Sequence, residues 1–245
     1  MPDDLAFLSL TEAVRRMRSG DLSPVKYTKA LLDRIAAHDG QLDSFLRVLD
    51  DGALEGAALA ELAVKNGETL GPLHGVPFAL KDIVDVAGLP TTAQSQILAQ
   101  QPPKTDHAAV TAKLHDAGGI LLGKTATHEF AIGGPSFDLP WPPARNPWNL
   151  ARYPGGSSSG SGAAVAAGLV PMAIGTDTGG SVRNPATACG IVGMKPTYGR
   201  VSRRGVFPLS FSLDHVGPMT RTVADNALML NVIAGHDPGD PGSAN

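Results

Sequence analysis

Two serines sit on glycine-rich turns, Ser157 within GGSSSGSG at 155–162 and Ser181 within TDTGGSVRNPA, with a small-residue helix and an apolar strand between them. Two such turns flanking one buried element can meet in space. A serine hydroxyl attacks a carbonyl only when a base takes its proton. No histidine lies near either turn in sequence, which leaves lysine, and lysine is a base only when burial keeps it neutral. Lys81, ending the apolar run of HGVPFALKDIVDVAG, is the best candidate, although the residues alone favour reading it as an exposed strand-end lysine paired with Asp82 or Asp85. Gly179-Gly180-Ser181 offers successive backbone amides with no bulky side chain in front, which suits an oxyanion hole or an ordinary turn before a helix.

Three other motifs compete. GGILLGKT at 118–125 satisfies the P-loop pattern, but a helical segment precedes it and Ile120 to Leu122 read as a buried strand followed by an exposed Lys124. GSSSG at 156–160 satisfies the nucleophile-elbow pattern centred on Ser158, with Asp177, Asp214, His215 and His236 available to complete a triad. The upstream NPWNLARYP is not the apolar strand an elbow needs. Ser23-Pro24-Val25-Lys26 matches S-x-x-K, and a helix N-cap explains it fully. Histidines 38, 74, 107, 115, 128, 215 and 236 show no ligand spacing, so no metal is expected.

Positioning these residues requires an α/β architecture, a mixed central sheet covered by helices. Residues 1–70 read as helical: Thr11 to Arg18, a helix from Ser23-Pro24 to about His38, and Leu54 to Lys65. From 71 to 245 short apolar runs alternate with helical segments at Asp106 to Ala117 and Ala163 to Ala167. VPFAL before Lys81, GILLG at 119–123, VPMAIG at 170–175 and GIVGM at 190–194 are the expected buried strands. A last helix covers Thr222 to Ala234, and HDPGDPGSAN reads as a loop leading onward.

With 245 residues, 42% hydrophobic and 18% charged, the chain has the composition of a soluble globular protein, not of a disordered segment or coiled coil. Of its 29 glycines, 11 fall between 155 and 199, where the two serine turns lie. A net charge of −3 provides no basic field for nucleic acid or an anionic membrane. No apolar run approaches a membrane span. The lone Cys189 permits no internal disulfide and fits a reducing cytoplasm, and the acidic opening MPDDLAFLSL is no obvious signal peptide.

The stretch PGGSSSGSGAAVAAGLVPMAIGTDTGGSVRNPATACGIVGMKPTYGRVS resembles the signature segment of the amidase signature family. GVPFALKD at 75–82 is similar to the family's lysine segment, SLDHVGPMTRTVAD at 212–225 to a following one, and LTEAVRRMRSGDLSPVKYTKALLDRI to its helical start. The resemblance implies a Ser-Ser-Lys triad with Lys81 as base, Ser157 as the bridging serine on a cis peptide and Ser181 as nucleophile. It also implies an oxyanion hole from the amides of Thr178, Gly179, Gly180 and Ser181, with Ser158, Asp177 and Arg183 supporting the site or binding substrate. Arg183 could orient substrate or the turn, or pair with Asp177.

The implied reaction is hydrolysis of a linear amide, or a related ester or carbamate, through an acyl-enzyme without cofactor or metal. The substrate would be a small-molecule amide, with room for a homodimer and no direct contact with nucleic acid or membrane. Hydrolysis of glutamine as the amidase component of a tRNA-dependent amidotransferase is the second reading; a P-loop nucleotide-binding protein is a remote third. Ser159 stands where the family usually has glycine. The resemblance also implies one domain over 1–245 that corresponds to the N-terminal half to two-thirds of the family's catalytic domain. The remainder would come from the full-length chain or another chain, and alone this part should expose apolar surface.

Overall fold

The computed structural model describes residues 5–244, so Asp3 and Asp4 of the acidic opening and the final Asn245 lie outside the described residues. Helix α1 (Leu10–Arg18) starts at Ser9, whose hydroxyl accepts from the Glu12 amide. Helix α2 (Pro24–Leu42) starts at Ser23, which caps the Lys26 amide, with Pro24 in the first turn. That cap accounts for the S-x-x-K pattern. The helix runs past Gly40 and stops at Asp43, which takes a left-handed conformation. Strand β1 (Phe45–Val48) follows, then α3 (Asp50–Lys65). Over residues 5–70 the elements are therefore helices apart from one strand, the short FLRV, which sequence patterning did not separate from its helical flanks.

Beyond α3 come β2 (Pro77–Lys81), α4 (Gln96–Ala99), α5 (Ala109–Asp116), β3 (Ile120–Thr125), α6 (Ser159–Ala166) and β4 (Met172–Asp177). They are followed by α7 (Arg183–Cys189), β5 (Val192–Gly193), β6 (His215–Thr220) and α8 (Val223–Ile233). One mixed sheet has the order β1-β3-β2-β4-β6-β5, with β2 parallel to both β3 and β4 and antiparallel strands at either side. Every residue of β2, β3 and β4 is buried. Strands covered on both faces need continuous apolar runs, which is how their sequences read. Lys81, Thr125 and Asp177 are the last residues of β2, β3 and β4, so the C-terminal ends of three parallel strands share one edge. Ligand sites of open α/β sheets form at that edge.

Helix α6 lies on the sheet at very close range. A Cβ on Gly160 would collide with the Ser44 carbonyl oxygen and the Ala126 amide. Ser161 fixes the helix to two strands, at 2.8 Å from Thr125 Oγ1 and donating to the Ile174 carbonyl at 3.0 Å. The small-residue run GSGAAVA thus sets the depth at which the serine turn before it meets the strand ends.

One expectation is corrected. Lys124 is buried, not exposed: its Nζ lies 2.6 Å from Asp82 Oδ1, off hydrogen-bond alignment, in a pair whose side chains are 2% and 3% exposed. GGILLGKT is therefore a turn and an interior strand with no amides open to a phosphate. The tail packs on the fold, with Asp237 and Asp240 pairing with Arg204 and Arg203 and the Ala244 amide donating to the Gly199 carbonyl. Among the described residues no helix is long and apolar enough to cross a membrane.

Candidate active site

Lys81 ends β2 with its side chain turned inward and is 0% exposed. Its Nζ contacts Ser157 Oγ at 2.7 Å and Thr176 Oγ1 at 2.8 Å. Neither carboxylate that could have paired with it is used: Asp82 faces Lys124 and Asp85 faces Lys104. Burial strips water from the ammonium and lowers the lysine pKa from 10.5 to about 7, against a smaller upward pull from Asp214 and Asp177. An amine in this state is half neutral at physiological pH.

Ser157 lies in the turn before α6, and the Gly156–Ser157 peptide bond is cis. The Ser158 amide donates to the Ser181 carbonyl at 3.2 Å, bringing the two serine turns together across the ends of β2 and β4. Ser158 itself is bound to strand backbone: its hydroxyl donates to the Thr176 carbonyl at 3.2 Å and accepts from the Thr176 amide at 3.1 Å. A hydroxyl engaged in this way supports the site and is not an elbow nucleophile. His215 Nδ1 faces the Leu213 carbonyl at 2.6 Å and its Nε2 lies 3.3 Å from Lys195 Nζ, so neither ring nitrogen is bonded to a serine.

The loop 177–183 is organised by a single carboxylate. Asp177 Oδ1 accepts from the Gly180 amide at 2.8 Å, and Oδ2 from the amides of Val182 and Arg183 at 3.2 and 3.3 Å. The Arg183 guanidinium donates from Nε and Nη2 at 3.0 and 2.9 Å. Burial pushes the Asp177 carboxyl upward, but these bonds outweigh it and hold the group below the usual carboxylate range. Arg183 therefore orients the turn through Asp177. The Gly180 amide is spent on Asp177 and drops out of the expected oxyanion hole. The amides of Gly179 and Ser181 are engaged by no described residue, and a Cβ at Gly179 or Gly180 would meet nothing within 4 Å.

Thr176 and Asp214 are contributions the sequence reading did not single out for these roles. Thr176, in TDTGGS, is the second contact of the Lys81 amine. Asp214 accepts from Thr178 Oγ1 at 2.5 Å and from the amides of Leu209 and Ser210, tying the start of the loop 177–183 to the loop before β6. Thr176 and Asp214 share a cavity of about 180 Å³ with Ile83, Val206, Phe207 and His215.

The sequence model of the amidase family, described as "Amidase", matches residues 26–245. The chain belongs to the amidase family. It is 49% identical over 242 residues to the A subunit of glutamyl-tRNA(Gln) amidotransferase from Chloroflexus aurantiacus, covering 98% of this chain and 49% of that protein. Among solved structures it resembles the native peptide amidase of Stenotrophomonas maltophilia, with TM-score 0.91 and 42% identity over 98% of this chain and 50% of that one. A structure reported as a vestigial protein complex bearing on the origins of an s-triazine catabolic enzyme has TM-score 0.94 and 39% identity, over 97% and 52%. The chain thus spans about half the length of the amidase-family relatives it matches.

Proposed function

We propose that this amidase-family chain carries the catalytic residues for hydrolysing a linear amide C–N bond through a serine acyl-enzyme. The observation that carries this reading is the buried Lys81 amine, with a pKa lowered to about 7, at 2.7 Å from the Ser157 hydroxyl. Neutral Lys81 donates one N–H to Thr176 and accepts the Ser157 proton, while Ser157 takes the proton of Ser181. The Ser181 oxygen adds to the amide carbonyl, and the amides of Thr178, Gly179 and Ser181 face the developing oxyanion. Collapse breaks the C–N bond as the proton returns from Lys81 through Ser157 to the departing amine. Water then adds to the acyl-enzyme by the same route and frees the acid. The substrate is a small-molecule amide, and neither cofactor nor metal takes part. We place the protein in the cytoplasm, on the lone Cys189, which is buried.

The test is substitution in the full-length protein. Ser181→Ala is expected to abolish turnover of every amide accepted, and Lys81→Ala to lower it by a factor of about 10³ or more; near-normal activity in either refutes the assignment. A second reading, glutamine hydrolysis as the amidase component of a tRNA-dependent amidotransferase, draws on the 49% identity to relatives of that name. It would be recognised by glutamine hydrolysis that depends on both tRNA and a partner protein.

A further inference from the structure

The Gly156–Ser157 peptide carries the hydroxyl that meets Lys81, and its surroundings include two side chains with no role so far. The His128 amide donates to the Ser157 carbonyl at 3.1 Å, and the Gly156 amide donates to Asn184 Oδ1 at 3.0 Å. A Cβ on Gly156 would collide with Cε1 and Nε2 of His128 and lie 2.7 Å from the Tyr153 hydroxyl oxygen. Imidazole and phenol are therefore the wall against which this peptide rests, and only glycine fits there.

The imidazole is fixed at both nitrogens. Nδ1 is 3.0 Å from the Gly133 carbonyl, and Nε2 is 3.0 Å from the Tyr153 hydroxyl. A carbonyl only accepts, so Nδ1 carries the proton and Nε2 accepts from the phenol. The rings stack with centroids 5.7 Å apart, and His128 is buried. Burial lowers the His128 pKa, the Gly133 bond opposes this and the Lys81 charge adds to it, which favours the neutral ring.

The backbone behind the imidazole is held in costly conformations. Ala93, Gln94, Phe130 and Ala131 all have positive φ, between 47° and 62°. The Phe130 amide donates to the Ala93 carbonyl, and the Thr127 amide to Gln94 Oε1 at 2.8 Å. Non-glycine residues in this region persist only where their surroundings over-determine them, and they cluster at functional sites.

We propose that His128 and Tyr153 are positioning residues for the proton relay, a hydrogen-bonded pair that presses on the Gly156–Ser157 peptide and so fixes Ser157 Oγ on Lys81 Nζ. The inference rests on the catalytic reading above. Neither side chain is assigned a contact with the reacting atoms. Without the phenolic O–H the imidazole loses one of its two anchors, and Ser157 spends less time in line with the amine.

The experiment uses a fluorophosphonate on the full-length protein, separating the maximal labelling rate kinact from the binding constant KI. Tyr153→Phe keeps the stacked ring and removes only the hydroxyl. Loss of that bond should lower kinact about tenfold with KI unchanged and Tm within about 3 °C of wild type. His128→Ala should lower kinact further. His128→Gln, whose side-chain oxygen reaches the Nε2 position and accepts from Tyr153, should recover part of the loss, and should recover nothing when combined with Tyr153→Phe. Wild-type kinact in Tyr153→Phe, or a His128→Gln no faster than His128→Ala at equal Tm, would overturn the positioning role. Ser181→Ala separates the two readings: if it still takes the label the catalytic assignment fails and this one with it, whereas a blank Ser181→Ala beside a normal Tyr153→Phe removes the positioning role alone.

Discussion

Lys81 is the residue whose chemistry and energetics conflict most. An ordinary lysine holds its proton up to about pH 10.4, whereas this one releases it near pH 7 because burial disfavours the charged form. Between those two values the unfolded chain carries a proton that the folded chain has shed, so this residue's contribution to stability rises with pH across that window. Below pH 7 the burial penalty is fully felt. Lys81→Met should therefore stabilise the fold by on the order of 2–4 kcal/mol at pH 7, after loss of the contacts to Ser157 and Thr176, with the gain fading toward pH 10.5. Urea unfolding at several pH values checks this; a Lys81→Met protein less stable than wild type at pH 7 would mean the amine is not held neutral. The serine chemistry should follow the same titration, with fluorophosphonate labelling falling on the acid side of about pH 7 as the amine protonates. Labelling indifferent to pH between 5 and 9 would contradict a lysine base.

Among the elements, the buried Lys124–Asp82 pair links β3 to the residue that follows Lys81 at the end of β2. Asp82 also accepts from the Thr92 amide at 3.0 Å and from the Thr92 hydroxyl, so one carboxylate joins both strands to the following loop. Removing either partner of a buried pair strands the other, at a cost of about 3–5 kcal/mol. Lys124→Met and Asp82→Asn should each show that loss in chemical denaturation, and the double variant should lose clearly less than the two together; strict additivity would mean the charges are not coupled. The strands carrying Lys81 and Thr176 were legible as apolar runs because both their faces are buried. Lys124 was misread because a strand sequence does not show that its lysine has an aspartate beside it just past the end of the neighbouring strand. Strand β6 was missed because Gly217 and Pro218 interrupt HVGPMT. Ser157, Ser181 and Lys81 could be named from glycine turns, an apolar run and family resemblance, whereas the contacts of Thr176 and Asp214 could not be read, since they arise from strands and loops that meet only in the fold.

At the scale of the molecule, the chain covers about half of its amidase-family relatives and leaves large apolar side chains outward, among them Phe137 at 82% exposed and Trp148 at 74%. The fold nonetheless brings its three candidate catalytic residues to the end of one sheet, with the loop 177–183 braced internally by Asp177. The central claim is that Ser181 is the nucleophile and that Lys81 activates it. Peptide mapping of the fluorophosphonate adduct by mass spectrometry in the full-length protein, wild type beside Lys81→Ala, tests it most directly. The adduct is expected on Ser181 in the wild type and should be nearly absent from Lys81→Ala after the same exposure; an adduct on another residue, or equal labelling of Ser181 without the lysine, would contradict it.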